Sequence, residues 1–344
     1  MPYDPERYSR QVRYAALGAA GQERLASATV AVMGCGALGS AAAMALVRAG
    51  VGRVRLIDRD VPEVSNLPRQ VLYDEDDVAA RLPKAVAAAA RLRRCNSVCR
   101  VDPVVVDLTP DTVDSALGGV DLVVDGTDNF EARFLVNEFA CRERIPWVHG
   151  GAIGAEGRVM AVVPGVTACL RCLVPDPPAP GTLPTCDTAG VLGPAALVVG
   201  AVQAAEAIKI LSGAADRVGH RLLACDLWEG QWRSIDLSGL AAVGCPTCRG
   251  GDYPWLEGRE GSRAAVLCGR EAVQIAPRPG TVVDLDALAT RMAAVGTVAA
   301  NPWIVRFQTA DGLEVSVFRD GRAIVSGTRD EARARGVVAR WLGN

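Results

Sequence analysis

From residue 29 onward, short β-branched apolar runs alternate with longer stretches of helix-forming residues. TVAVMG (29–34) is an apolar run that stops at glycine, which predicts a buried strand. CGALGSAAAMALVRAG continues with helix formers as far as Gly50, and VGRVRLIDRD (51–60) reads as a second strand. KAVAAAARLRRCN (84–96) predicts a helix, VCRVDPVVVDL a third strand, and VDLVVDGTDN (120–129) a fourth that runs into a polar turn. Residues 130–144 are helical in pattern, IPWVHGGAIG and GRVMAVV are strands again, and residues 5–26 form a helical lead-in. Strands alternating with helices predict an α/β fold, a doubly wound, mostly parallel, Rossmann-like sheet with crossover connections.

The most apolar stretch, AGVLGPAALVVGAVQAAEAIKIL, is long enough to raise the question of a membrane span. Pro194 interrupts the pattern and Gln203, Glu206 and Lys209 occupy its second half, so a buried core helix is expected. The Pro- and Gly-rich stretch VPDPPAPGTLPTCDTAG (174–190) is too long for a simple connector and reads as a functional loop. RGGDYPWLEGREGS (249–262) reads as an interdomain linker, which divides the chain into residues 1–250, a linker at 251–262 and a second domain at 263–344. In that last part AVLCGREAVQI predicts a strand, DLDALATRMAAV a helix, and TVAANPWIVRF, LEVSVF and RAIVS three further strands. Asp320-Gly321 predicts a hairpin turn, and RDEARARGVVARWL a closing helix. The expectation is a small α+β domain, β-α-β-β-β-α, with no cluster of titratable residues.

Composition narrows the chemistry. The chain has 344 residues, half of them hydrophobic, which is enough for one large and one small core. A formal net charge of −2 gives no support for a nucleic-acid or membrane-surface partner. MPYDPERYSRQ lacks an apolar run, so no secretion signal is expected and the cytoplasm is the expected compartment. There, paired cysteines among the eleven point to metal or catalysis before disulfides. The only histidines are His149 and His220, which excludes any mechanism built on several imidazoles.

Gly34-Cys35-Gly36-Ala37-Leu38-Gly39 matches G-x-G-x-x-G between a predicted strand and helix, where backbone amides and the helix dipole hold phosphate. Asp58 closes the next strand, placed to bond a ribose hydroxyl. These features fit NAD and ATP equally. The following segment, DRDVPEVSNLPRQ, adds Asp60, Asn66, Arg69 and Gln70, and LPKA adds Lys84. Arginine and lysine so near a phosphate loop suit a triphosphate, whose developing charge needs cationic clamps. DGTDN places Asp125, Asp128 and Asn129 at the carboxyl end of a strand, where a carboxylate can hold Mg²⁺. Asp125 reads equally as a turn cap. His149 reads as a packed or substrate-edge residue.

Cys169-Leu-Arg-Cys172 and Cys245-Pro-Thr-Cys248 are two C-x-x-C pairs, a donor set for tetrahedral, structural Zn²⁺, with Arg171 and Arg249 beside the ligands to offset the negative charge. Cys186 stands at the end of the long loop, just before an expected helix, where a thiol is activated as a nucleophile.

Taken in order, RYSRQ, GCGALGS, DRDVPEVSNLPRQ, LPKA, DGTDN, CLRC, TCDTAG and CPTC resemble the MoeB/ThiF (HesA) family of ubiquitin-activating-enzyme-like adenylyltransferases, over about residues 5–250. Ala37 stands where that family usually has glycine, ARLPKA replaces its commoner Gly-x-Pro-Lys, and the last 80 residues match neither its plain nor its rhodanese-bearing architectures. The resemblance implies ATP-dependent adenylylation of the C-terminal carboxylate of a small ubiquitin-like sulfur-carrier protein ending in Gly-Gly, for molybdopterin or thiamine synthesis. It implies a homodimer in which Arg10 reaches the partner's triphosphate, and a separate sulfur donor, a cysteine desulfurase or sulfurtransferase. It further implies that Asp58 binds the ribose, Arg69 and Lys84 the phosphates and Asp128 the Mg²⁺, with Asn66 and Gln70 in support. Cys186 matches the family cysteine that forms a thioester or disulfide with the carrier. The rival readings are an NAD-dependent oxidoreductase, which leaves Arg69, Lys84, Asp128 and the cysteines without roles; a non-catalytic scaffold; and a relative that adenylylates a small molecule or tRNA base.

Overall fold

A computed structural model describes residues 3–178, 186–240, 244–261, 264–266, 271–276, 281–293, 297–309 and 311–342. The chain divides into two compact units, Met1–Arg259 and Glu260–Asn344.

In the first unit the helical lead-in is two short helices, α1 (Ser9–Val12) and α2 (Gly18–Ser27). There follow β1 (Thr29–Met33), α3 (Ala37–Ala49), β2 (Arg53–Ile57), α4 (Glu75–Ala80), α5 (Lys84–Cys95), β3 (Arg100–Val104), α6 (Val113–Leu117), β4 (Leu122–Asp125) and α7 (Phe130–Glu143). The unit continues with β5 (Trp147–Ile153), β6 (Glu156–Val162), α8 (Leu170–Leu173), α9 (Cys186–Ala189), α10 (Gly193–Leu211), β7 (Arg221–Asp226) and β8 (Gln231–Asp236). One eight-stranded sheet has the order β3-β2-β1-β4-β5-β6-β7-β8. Strands β1 to β5 are mutually parallel, whereas β6, β7 and β8 are added antiparallel.

Strand alternation sorts the core. Val30, Val32, Leu122 and Val124 face α3, α5 and α10, while Ala31, Met33, Val123 and Trp147 face α6, α7 and the cysteine pairs. Because both faces are covered, the parallel strands read as unbroken apolar runs. The β7–β8 hairpin went unread in the sequence, since every residue of β8 is exposed and no apolar face marks it.

Helix α10 is unbroken over 19 residues, and Pro194 stands in its first turn, where a missing N–H costs nothing. The proline therefore starts the helix and does not interrupt it. By length and composition α10 passes as a membrane span, and its environment decides otherwise. Ala196, Val199, Gly200, Gln203 and Ala207 are buried, and a β-carbon on Gly200 would lie 2.6 Å from the Leu38 carbonyl of α3. It is a core helix, as expected.

Part of the expected linker also proves to be structural. Trp255 lies 5.6 Å from the Phe134 ring, and the Leu256 N–H donates to the fully buried Glu138 carboxylate at 2.8 Å. An apolar pair inside a Gly- and Pro-rich stretch anchors it to α7.

The second unit holds β9 (Ala264–Val266), β10 (Ala272–Ile275), α11 (Leu285–Ala293), β11 (Val298–Asn301), β12 (Ile304–Gln308), β13 (Glu314–Phe318), β14 (Ala323–Ser326) and α12 (Glu331–Leu342). All its strand pairs are antiparallel, in the order β11-β12-β13-β14-β10-β9. Val305, Phe307, Val315, Val317 and Val325 pack against Leu285, Leu288 and Met292 of α11 and Ala334 and Val337 of α12. The sheet has six strands where four were expected, because two predicted strands are each a pair. Asn301 breaks one of them: its Oδ1 accepts the N–H groups of Trp303 (2.9 Å) and Ile304 (3.0 Å), turning the chain at Pro302. The Asp320-Gly321 hairpin lies where it was expected.

Candidate nucleotide site and four-cysteine cluster

Gly34, Cys35 and Gly36 form the whole turn between β1 and α3. Gly36 is the helix N-cap, and no side-chain cap bonds the first-turn amides among the described residues, so this end of α3 suits an anion. The glycines here answer to different demands. A β-carbon on Gly39 would lie 1.8 Å from the Gly34 carbonyl oxygen, one on Gly34 2.8 Å from that of Gly126, and one on Gly126 2.4 Å from that of Gly34. Those three are fixed by backbone crowding. On Gly36 the nearest atoms would be the Gly126 oxygen at 3.8 Å and Gln70 Nε2 at 3.9 Å, ordinary contact distance, so this glycine keeps space beside the loop. Gln70 is buried next to it, and its Oε1 has no partner among the described residues. An open cradle beside a helix N-terminus, with a buried amide at its edge, fits a phosphate.

Asp58 sits at the end of β2 and organises the backbone around the loop. Its two oxygens accept the N–H groups of Cys35 and Asp60, each at 2.7 Å. Burial raises its carboxyl, with Lys84 opposing. Lys84 opens α5, buried to 6% exposure, with Nζ 3.7 Å from Asp60 Oδ2 and its N–H on the Asp60 carbonyl at 2.7 Å. Arg69 donates to the Ser65 carbonyl at 2.6 Å and pairs with no carboxylate among the described residues. Asn66 is turned inward, and its Oδ1 accepts the Glu63 N–H at 3.1 Å.

The DGTDN turn lies directly on the phosphate loop through Gly126, whose N–H donates to the Met33 carbonyl at 2.7 Å. Its two aspartates separate cleanly. Asp125 is fully buried: Oδ1 accepts the Thr127 N–H (2.9 Å) and hydroxyl (2.7 Å), and Oδ2 meets Arg133 Nε (3.1 Å) and His149 Nδ1 (2.9 Å). Burial alone would raise this carboxyl; Arg133, then the His149 and Thr127 bonds, outweigh it and hold it below the usual value. Asp125 is thus a structural anchor with no lone pairs to spare for a metal. Asp128 is exposed and has no hydrogen bond or ion pair among the described residues. Asn129 caps α7, its Oδ1 accepting the Ala132 N–H at 2.7 Å. Burial lowers the His149 imidazole despite its carboxylate partner, which leaves a neutral ring pinned through Nδ1.

The sequence reading missed three contributors. Gly126 was legible only as a residue between two aspartates. Arg133, which also donates to the Thr127 carbonyl at 2.6 Å, had no periodic signal. Gln203, the first of the three polar residues in the second half of α10, donates to the Asp125 and Val148 carbonyls at 2.6 and 3.2 Å and so joins β4 to β5; a polar residue within that apolar run was the available clue.

Arg10 lies elsewhere. It is exposed on α1, which is held at the far end of α3: Gln11 Nε2 donates to the Ala49 carbonyl at 2.7 Å, and the Tyr8 hydroxyl accepts from Asn96 at 2.9 Å. The 13 residues of α3 put about 20 Å between α1 and the phosphate loop.

The four cysteines come together away from the loop, on the α7 side of the sheet. All four sulfurs lie within 4.8 Å of one another, with Cys169–Cys172 at 3.8 Å, Cys169–Cys245 at 3.7 Å and Cys172–Cys248 at 3.6 Å. A tetrahedron with zinc–sulfur bonds of about 2.3 Å has edges of about 3.8 Å, so the donor set fits zinc. Asn137 of α7 seats the first pair by accepting the Leu170 N–H at 2.8 Å. Arg171 does more than offset charge, since its guanidinium donates to Thr247 Oγ1 at 3.2 Å and ties one C-x-x-C turn to the other.

Cys186 begins α9, a single turn of four residues, and its side chain lies outside the described residues. The expected activation of its thiol therefore falls outside the described residues. Cys268 is also outside the described residues.

The sequence profile described as the ThiF family matches residues 8–247. The sulfur carrier protein ThiS adenylyltransferase of Bacillus subtilis is 43% identical over 338 residues, 98% of this chain and 99% of that protein, so the likeness includes the second unit. The SAMP-activating enzyme E1 of Haloferax volcanii is 40% identical over 252 residues, 73% of this chain and 92% of that protein. Among solved structures, E. coli MccB with ATP superimposes with a TM-score of 0.58 at 25% identity, covering 69% of this chain and 73% of that one.

Proposed function

Because the chain belongs to the ThiF family, we propose that it uses ATP to adenylylate the C-terminal glycine carboxylate of a small ubiquitin-like sulfur-carrier protein of the ThiS/MoaD type. The products are the acyl-adenylate and pyrophosphate, and the sulfur then comes from a separate cysteine desulfurase or sulfurtransferase. The full-length likeness to the Bacillus subtilis enzyme favours a ThiS-type carrier and thiamine synthesis, in the cytoplasm. The observation that supports this reading is the junction of Gly34 with Gly126, two residues before an exposed Asp128 that has no ion pair among the described residues. An NAD site needs no such carboxylate.

The chemistry asks little else. A C-terminal carboxylate is already ionised at neutral pH, so its oxygen attacks the α-phosphorus without a general base. The bond from that phosphorus to the bridging oxygen breaks and pyrophosphate leaves, which calls for positioning and charge neutralisation. Gln70 and the α3 amides line the cradle, Lys84 and Arg69 offer cations, and Asp58 organises the loop. Asp128 would hold Mg²⁺, which when bound neutralises triphosphate charge. A protein substrate also needs a surface, and the outermost hairpin exposes Trp228, Trp232 and Ile235, large apolar groups of the kind partners cover.

The test is ATP–pyrophosphate exchange with a Gly-Gly-ending carrier. The reading predicts exchange that depends on the carrier's terminal carboxylate; exchange with small acids alone would overturn it. Cys186→Ser should retain exchange, which reports only the first half-reaction, and lose any covalent carrier adduct cleavable by thiols. Loss of exchange in that variant would place Cys186 in the adenylylation site, and no adduct in the wild type would remove its nucleophile role.

The cysteine cluster would hold one structural zinc per chain, contributing folding free energy directly. Cys245→Ser should then lose the metal and lower the melting temperature by about 10 °C or more. Metal analysis finding no zinc in freshly purified protein would sink this assignment.

A further inference from the structure

We infer that Tyr73 is a positioning residue whose hydroxyl sets Lys84 against the phosphate loop. The inference rests on the ATP reading above and adds a residue to it. Tyr73 is 6% exposed and belongs to the core beneath the loop. Its hydroxyl donates to the Cys35 carbonyl at 2.8 Å and lies 3.3 Å from the Lys84 carbonyl. One proton is shared between two acceptors, with the shorter bond to the phosphate loop. Burial, then Cys35 and the carboxylates of Asp58, Asp77 and Asp60, push the phenol well above its usual value, so the oxygen remains a donor.

The two bonds close a ring. Cys35 donates to Asp58, Asp60 donates to Asp58, Lys84 donates to the Asp60 carbonyl, and Tyr73 returns from Lys84 to Cys35. Every other member of this ring belongs to the phosphate loop or to a residue already expected at the nucleotide. Tyr73 alone sits beneath the site, at the end of the VLY stretch that follows Arg69 and Gln70. Without its hydroxyl, the hydrogen-bonded ring that joins the first turn of α5 to the phosphate loop is left open, and the path through Asp58 and Asp60 remains. Both carbonyls would also lose a buried donor. Lys84 opens that turn, so the position of its ammonium depends on the bond that fixes it.

A double-mutant cycle on ATP affinity tests this, with calorimetric titration of ATP into the wild type, Tyr73→Phe, Lys84→Ala and the double variant. Phenylalanine keeps the buried ring, and circular dichroism confirms the fold of each protein. Tyr73→Phe should weaken ATP binding about tenfold, as the loss of one buried hydrogen bond would. In the Lys84→Ala background the same change should cost under about twofold, because the group it positions is gone. ATP binding by Tyr73→Phe within about twofold of the wild type overturns the inference. So does an equal loss in both backgrounds, which would mark general loosening of the loop, and so does a Tyr73→Phe protein that fails to fold. A wild type that binds no ATP would instead overturn the adenylyltransferase reading itself.

Discussion

Asp128→Asn should lower carrier-dependent pyrophosphate exchange by about a thousandfold, equivalent to about 4 kcal/mol of transition-state stabilisation, while melting like the wild type. Both halves of this expectation come from the contrast within one turn. Asp125, two residues after Val123 in β4, spends both oxygens on Thr127, Arg133 and His149 inside the protein. Asp128, three residues on, is exposed and makes no hydrogen bond or ion pair among the described residues. Its amide is nearly isosteric, so no packing is lost, but it brings no negative charge to a divalent cation beside the triphosphate. Exchange is the right assay because it reports formation of the acyl-adenylate alone and is blind to later sulfur chemistry. Asp125→Asn should behave in the opposite sense, with the melting temperature falling because Arg133 is left buried opposite a neutral group. Near-normal exchange by Asp128→Asn would remove the metal role and with it much of the case for a triphosphate.

The sequence pattern was most legible where burial on two faces forces long apolar runs. The strands β1, β2 and β4, the turn at Gly34 and the α3, α5 and α7 helices all announce themselves because core packing allows few alternatives there. The chemistry-bearing residues of the loop and of the two C-x-x-C pairs were equally visible, since spacing alone implies their geometry. What stayed hidden depends on partners distant in sequence. Tyr73 meets the Lys84 carbonyl from 11 residues away and the Cys35 carbonyl from 38. Gln203 reaches the Asp125 carbonyl across 78 residues. No local period encodes such contacts. The β8 strand hid for another reason: a strand with all its side chains exposed has no alternation to read. Pro194 misled because the same residue breaks a helix interior and opens a first turn, and only the helix's actual start tells them apart.

Arg10→Ala should abolish exchange nearly as completely as Asp128→Asn, and the two defective proteins mixed together should regain activity. Within one chain Arg10 cannot serve the phosphate loop, because α1 is fastened to the Ala49 end of α3 by Gln11, about 20 Å from Gly36. No arginine side chain spans that gap. The residue is nonetheless exposed and has no ion pair among the described residues, as a cation offered to a neighbouring copy would. In a two-fold dimer, each site would then take its phosphate loop, Lys84 and Asp128 from one protomer and Arg10 from the other. An arginine supplied in trans to a transferring phosphate is worth about a thousandfold or more in rate. A heterodimer of Arg10→Ala with Asp128→Asn holds one site in which both defects fall together and one in which neither does. Random reassortment of equal amounts gives such heterodimers in about half of the population, so about a quarter of the wild-type activity should return. If Arg10 acted on its own chain, each protomer of the mixed dimer would carry its own defect and the mixture would stay inactive. Unimpaired exchange by Arg10→Ala alone would show that the arginine is a surface charge. Recovery in the mixture, with sedimentation showing a dimer, would establish that the site is built from two copies of the chain.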